Sequence, residues 1–396
     1  MQPFYFCNTS RVFFGEGAVA AHLAALVRGR GASCVMLAQG RGGAVACGAL
    51  GDVREALTRT GARVVDFSGI MPNPTYAKVL EGVRLVREEQ VDLIVAVGGG
   101  SVMDCCKAIS LVAPCGLGEQ AAWEAFWERT GTVDFAPVPV GVVVTAAGTG
   151  SEVNGEGVIT NEATGRKLGH DYPACTPVFT ILDPSYTCTV GSLQTASCGF
   201  DSFTHVAETY LSAPDEENVS DDLSEALMRG IVRDLPRALA APDDVDARGN
   251  LMWESTCAEL RLIKLGKDLD FGPHMLEHQL GAFTDCTHGC GLAAIYPSYY
   301  RYVIDGATSL VKFCRLAERV WGVERAGRSD RELALAGIDA IETFIRRSGL
   351  PASLTELGVP TDDAFLRRVA DAVGGHDRGY RKLDAQDLYQ ILLDAR

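Results

Sequence analysis

No stretch of the 396-residue chain holds twenty consecutive apolar side chains, so a membrane-spanning helix of ordinary length is not expected. The opening MQPFYFCNTSR lacks a charged segment followed by an apolar core, which argues against a secretory signal. Positive charge is scarce: 36 Lys and Arg stand against 51 Asp and Glu, for a net charge of −15. That balance argues against nucleic acid and anionic membranes as partners. It does not exclude a small anionic ligand, which senses local charge. The thirteen cysteines are odd in number and follow no small-domain disulfide spacing. Reduced thiols and a cytoplasmic location are therefore expected. Internal repeats and low-complexity tracts are also missing, as is the G-x-G-x-x-G fingerprint of standard dinucleotide folds.

What is present falls into two halves. ASCVMLAQG reads as a buried strand, ARVVDFSG, VDLIVAVGGG and VPVGVVVTAAGTGSE as further strands, and PVFTILDPS closes the region. Helical segments alternate with them, near Leu50–Arg59 and in PNPTYAKVLEGVRLVREEQ. This alternation predicts a parallel sheet with helices on both faces. From Ser192 onward, amphipathic helices dominate, as in DDLSEALMRGIVRDLPRAL and SLVKFCRLAERVW. The fold class expected is an α/β nucleotide-binding domain over residues 1–185, followed by an all-helical domain over residues 186–396.

Histidine is rare, with seven in the chain, yet four fall in two short segments: GFDSFTHVAETY and FGPHMLEHQLGAFTDCTHGCG. Asp201 and His205 stand four residues apart on a helical pattern, and so do His274 and His278; both pairs project from one helix face. His288 follows. One carboxylate and several imidazoles suit a divalent first-row metal. Five such residues exceed what one ion needs, so one of them would orient a ligand or handle a proton. Cys286 and Cys290 flank His288, but the harder ligands already suffice.

Two small-residue turns follow strands. Gly98-Gly99-Gly100-Ser101 opens a helix, an arrangement that lets a pyrophosphate approach backbone N–H groups at a helix N-terminus. It reads equally as a plain tight turn, with Asp104 an ordinary helix acid and Lys107 a solvated lysine. The second turn, Thr145 to Glu152, offers hydroxyls to a cofactor or simply reverses the chain.

These motifs together resemble the iron-containing (group III) alcohol dehydrogenases. The segments carrying the resemblance include VDLIVAVGGGSVMDCCKAI, TAAGTGSE, ITNEATGRK, LDPSYT, DSFTHVAETY and HMLEHQLGAFTDCTHG, spread over essentially the whole chain. MPNP, NLMWEST and HGCGLAAIYPSYYRY resemble the butanol dehydrogenase and broad-range aldehyde reductase branch. The resemblance implies the dehydroquinate synthase-like fold of that family, with its active site between the two domains. It places Asp201, His205, His274 and His288 at the metal-ligand positions, and His278 at a catalytic, non-ligand histidine near the reacting centre. Gly98, Gly99, Gly100 and Ser101 match the pyrophosphate turn. Asp104, Thr145, Thr149 and Lys167 match further cofactor positions.

Departures from the pattern bear on specificity. After the first strand the chain reads Gly40-Arg41-Gly42-Gly43, without the lysines common in that branch and without a carboxylate to select a free ribose hydroxyl. Arg41 offers a charge-assisted contact to a 2′-phosphate, which favours NADP(H) over NAD(H). Arg261 and Lys264 stand where relatives tend to carry small residues. They either reach the substrate or face solvent, and the solvent case, with an apolar pocket, is favoured. The expected activity is hydride transfer between the nicotinamide and a primary alcohol or aldehyde, using Fe2+ or Zn2+, in a homodimer or larger homo-oligomer. Two alternatives stand beside it: a dehydroquinate synthase-like metal- and NAD-dependent lyase, and a catalytically silent binding protein. The absence of Lys and Arg from the two histidine motifs argues against the lyase, which needs basic residues around a polyanion.

Overall fold

The computed structural model describes residues 2–396. They gather into two compact units. One comprises Cys7–Gly191 with Ala241–Leu260; the other comprises the residues before Cys7, Ser192–Ala240 and Arg261–Arg396.

The first unit is built on a six-stranded sheet. Its strands are β1 (Val12–Phe14), β2 (Cys34–Gly40), β3 (Arg63–Ile70), β4 (Leu93–Gly98), β5 (Val140–Val144) and, after the hairpin β6 (Glu156–Asn161) and β7 (Arg166–Asp171), β8 (Phe179–Leu182). The order is β1-β8-β5-β4-β2-β3, with every pairing parallel. The β-branched runs suit a pleated surface buried on both sides. Successive residues divide between the faces: Met36, Ala38, Ile94 and Ala96 enter one core, while Val35, Leu37, Val95 and Val97 enter the other. From β2 the chain moves outward to β3, then returns to the other side of β2 as β4. The reversal makes the carboxyl ends of β2 and β4 a topological switch point, the usual place for ligands in such sheets. Gly40-Arg41 and the glycine turn Gly98–Gly100 lie at those two ends.

The second unit is helical. Its principal helices are Ser192–Tyr210, Val219–Ala240, Gly272–Thr284, His288–Ile304, Asp330–Arg347, Asp363–Val373 and Ala385–Asp394. Aromatic contacts knit them together: Phe203 meets Phe200, Trp321 and Phe344 at ring separations of 6.0, 5.7 and 5.8 Å. Among the described residues no helix is long and apolar enough to cross a membrane, and all thirteen cysteines are free.

The expected architecture is present, with two differences. Besides the cut near residue 191, residues 241–260 belong with the sheet-containing unit. The helix Val245–Glu259 docks there through buried polar bonds: Thr256 Oγ1 donates to Glu152 Oε1 at 2.6 Å, and Asn154 Nδ2 donates to Glu259 Oε2 at 3.2 Å. Strands β1, β6 and β7 lie outside the expected set. β1 is only three residues long. β6 and β7 pair antiparallel as a two-stranded sheet of their own, touched by a single bridge from Thr75 to Thr160, so EGVITN and RKLGHD need no continuous apolar run.

Candidate functional site

The helix Ser192–Tyr210 places Asp201, His205 and Glu208 at i, i+4 and i+7, on one face. The helix Gly272–Thr284 supplies His274, Glu277 and His278, and His288 is the first residue of the next helix. That helix can begin close to Ser192–Tyr210 because Gly289 follows His288. A Cβ on Gly289 would stand 2.2 Å from the Ser197 carbonyl oxygen.

Three imidazole Nε2 atoms converge on Asp201 Oδ1, from His288 at 3.4 Å, His274 at 3.6 Å and His205 at 3.9 Å. Donors held about 2 Å from a tetrahedral ion are separated from one another by about 3.4 Å. Asp201, His205 and His274 offer ligand atoms that all lie within 4.8 Å of one another, and His288 joins them through its approach to Asp201 Oδ1. Asp201 Oδ1 and His274 Nε2 are buried and, among the described residues, have no hydrogen-bond partner. Buried polar atoms in that condition are costly, and a shared cation removes the cost.

Each of two imidazoles is backed by a carboxylate. His274 Nδ1 lies 2.7 Å from Glu208 Oε1, and His288 Nδ1 contacts Glu277 Oε2. Both glutamates are fully buried. Their bonds place a proton on Nδ1 and leave the Nε2 lone pair free for a metal. The charges agree. Burial raises the pKa of Asp201, but His205, His288 and His274 outweigh it and hold the carboxyl well below its usual range. Burial lowers the pKa of His274, yet Glu208 and Asp201 push it up to about 10. The cluster thus favours positive charge at its centre. His278 sits beside it, with its ring 5.4 Å from His288 and 6.3 Å from His274. Glu277, His278 and His288 form a second group of potential ligands. Among the described residues no cysteine joins either group; Cys286 Sγ lies 3.9 Å from Glu277 Oε1.

At the switch point, none of Gly98, Gly99 and Gly100 adopts a positive φ. Glycine serves close approach instead: a Cβ on Gly100 would lie 2.5 Å from Thr149 Cγ2. The two small-residue turns are thereby brought together, and Thr145 N donates to Gly98 O at 3.0 Å. Ser101, still partly exposed, lies in the first turn of the helix Gly100–Val112. Asp104 links that helix to the second small-residue turn and to β6, accepting from Ser151 Oγ at 2.5 Å and from Val158 N at 3.1 Å. Burial raises its pKa, opposed first by Lys107 and more weakly by Lys167 on β7.

Lys107 corrects the reading of it as a solvated lysine. It is fully buried and donates to Ser151 O at 2.8 Å, Ser151 Oγ at 2.6 Å and Asn154 Oδ1 at 3.0 Å. Burial lowers its pKa, with Asp104 opposing. Arg41 is exposed beyond β2. Arg261 takes a positive φ of 69°, and Lys264 Nζ stands 5.1 Å from the centroid of Phe271. The same Phe271 ring lies 5.4 Å from His274 and 6.3 Å from His205.

Sequence reasoning missed Glu208 and Glu277. Their signal was available: Glu208 continues the Asp201, His205 face by another turn, and Glu277 stands beside His278 on the same short helix.

Comparison with known proteins converges on one group. Residues 9–184 match the model for iron-containing alcohol dehydrogenase, and residues 195–396 match that for the C-terminal part of the Fe-containing alcohol dehydrogenase family. The chain is 31% identical to NADH-dependent butanol dehydrogenase A of Clostridium acetobutylicum over 393 residues, covering 99% of each protein. It is 34% identical to the NADPH-dependent aldehyde reductase YqhD of Escherichia coli over 362 residues, 91% of this chain and 90% of the relative. The crystal structure of NADH-dependent butanol dehydrogenase A from Thermotoga maritima superposes with a TM-score of 0.92 at 31% identity, covering 99% of this chain and 98% of that one. With both halves matched by family models and full-length relatives above 30% identity, this chain belongs to the iron-containing alcohol dehydrogenase family.

Proposed function

We propose that the protein is a metal- and NAD(P)(H)-dependent oxidoreductase that moves a hydride between the nicotinamide and a primary alcohol or aldehyde. Asp201, His205, His274 and His288 are its proposed metal ligands. The observation that carries this reading is the convergence of three Nε2 atoms on the unpartnered, buried Asp201 Oδ1. Three imidazoles and one carboxylate suit Fe2+ or Zn2+. A divalent ion held there supplies Lewis acidity to the substrate oxygen.

The remaining steps fall to this chain's own groups. Glu208 and Glu277 fix the ring orientation and tautomer of His274 and His288. His278 carries the proton that the substrate oxygen gains or loses. The Gly98–Ser101 turn receives the pyrophosphate on its backbone N–H groups, with Thr145, Thr149, Asp104 and Lys167 as further cofactor residues. Gly40 and Arg41, at the neighbouring strand end, are proposed for the adenosine ribose, where Arg41 favours a 2′-phosphate and hence NADP(H). The relatives are divided on this point, one being named for NADH and another for NADPH. A cytoplasmic homodimer or larger homo-oligomer completes the proposal.

The dehydroquinate synthase-like lyase is less well supported, since the matched families and the named relatives are alcohol and aldehyde redox proteins. The test is NADPH and NADH consumption with butanal by the purified protein, before and after chelation and on readdition of Fe2+ or Zn2+. Metal-restored consumption is the expected result. Consumption indifferent to chelation, and retained in His274→Ala, overturns the metal assignment.

A further inference from the structure

A groove of about 450 Å³ lies at the other end of the parallel sheet from the glycine turns. Arg11 and Val178 line it where they precede β1 and β8, and Gly29 and Arg30 close it at the end of the helix Ala18–Gly29. The volume is within the range of small-ligand pockets. Two guanidiniums, those of Arg11 and Arg30, and the His22 imidazole stand over a wall of Phe13, Leu26 and Phe179. Among the described residues no carboxylate lines the groove, although the chain carries fifteen more acidic than basic groups. Neither guanidinium has an ion pair or hydrogen bond among the described residues. Arg11 stands 5.4 Å from the Phe13 centroid, and the Phe13 and His22 rings are 4.7 Å apart. Partial burial, and then the like charge of Arg11, lower the pKa of Arg30. Both cations thus line one groove without a counter-charge among its described lining residues.

We propose that this groove binds a small phosphate ester with an aromatic or heterocyclic body, its phosphoryl group between Arg11 and Arg30 and its ring against Phe13 and His22. Planar guanidiniums match phosphoryl oxygens in pairs. A dianion relieves the repulsion between two cations more fully than a monoanion does. The Phe13 and His22 rings, tilted by 35° to one another, add an aromatic surface for a planar ligand. This site is separate from the dinucleotide turns, because its residues precede the strands whereas the turns follow them.

The test is calorimetric titration of phenyl phosphate into full-length, metal-loaded protein saturated with its dinucleotide. Saturable binding is expected, with inorganic phosphate about tenfold weaker for want of a ring. Arg11→Ala and Arg30→Ala, both at exposed positions, should each weaken phenyl phosphate about tenfold or more while butanal turnover is kept. The proposal fails if no saturable binding occurs below about 10 mM, or if the double variant binds as the parent does. Benzoate binding as tightly as phenyl phosphate would overturn the phosphoryl assignment. A change of subunit assembly in the double variant would make the groove a protein contact and defeat the proposal.

Discussion

Glu208 Oε1 is 2.7 Å from His274 Nδ1, on the side of the imidazole turned away from Asp201. The bond ties a fully buried glutamate to a buried histidine, so the ring cannot rotate or change tautomer without leaving a carboxylate unpaired. Glu208→Gln and Glu277→Gln keep side-chain volume but remove the charge. Each should weaken metal retention by about 10- to 100-fold. Chelator competition with metal content read by elemental analysis measures this directly. Parental retention in both variants would reduce the glutamates to packing.

His278 is proposed to handle a proton, so His278→Asn should keep the metal and the dinucleotide. Its kcat should fall by about 10²-fold. Stoichiometric metal analysis beside steady-state kinetics separates the possibilities. If the ion is lost from this variant, His278 is a ligand, and its grouping with Glu277 and His288 gains that meaning.

Arg41 is exposed at the end of β2, and a bond from it to a 2′-phosphate is worth roughly 1.5–3 kcal/mol. Arg41→Ala should therefore raise KM for NADPH by about 10- to 150-fold and leave that for NADH nearly unchanged. Comparing kcat/KM for the two cofactors in parent and variant is the check. An unaltered ratio removes Arg41 from cofactor selection.

Two buried lysines share one carboxylate in the helical unit. Lys312 Nζ is 3.0 Å from Asp221 Oδ2, and Lys267 contacts Asp221 Oδ1. Burial, and then the charge of Lys267, push the Lys312 pKa down to about 8 from 10.5. Between those values the unfolded chain binds more protons than the folded one, so this group makes stability rise with pH through the window and costs stability below it. Lys312→Met should abolish that rise, a difference of roughly 1–3 kcal/mol between pH 7.5 and 10.5. Urea denaturation of both proteins at the two pH values reads it, and equal pH slopes would contradict it.

The strands of the main sheet were legible because CVMLAQ, LIVAVG and VGVVV are buried on both faces and need no polar alternation. The histidine cluster was legible because so few histidines occur and because their spacing matches helix periodicity. Glu208 and Glu277 escaped notice because a glutamate on a helix usually faces water; only the folded helices turn these two inward. Lys107 escaped for the same reason, since its acceptors Ser151 and Asn154 come from a distant loop. The β6–β7 hairpin is polar enough to pass for a loop, and what identifies it is pairing rather than composition.

The return of residues 241–260 to the sheet-containing unit sets a rule for recombining this protein with its relatives. A chimera joined once, near residue 191, would inherit Glu152 and Asn154 from one parent and Thr256 and Glu259 from the other. Those four side chains meet in buried bonds, so they must be exchanged as a set. A functional graft of the sheet unit accordingly needs four crossovers, near residues 7, 191, 241 and 260, and a stand-alone fragment ending at residue 191 would lack the helix its own loop is built to hold.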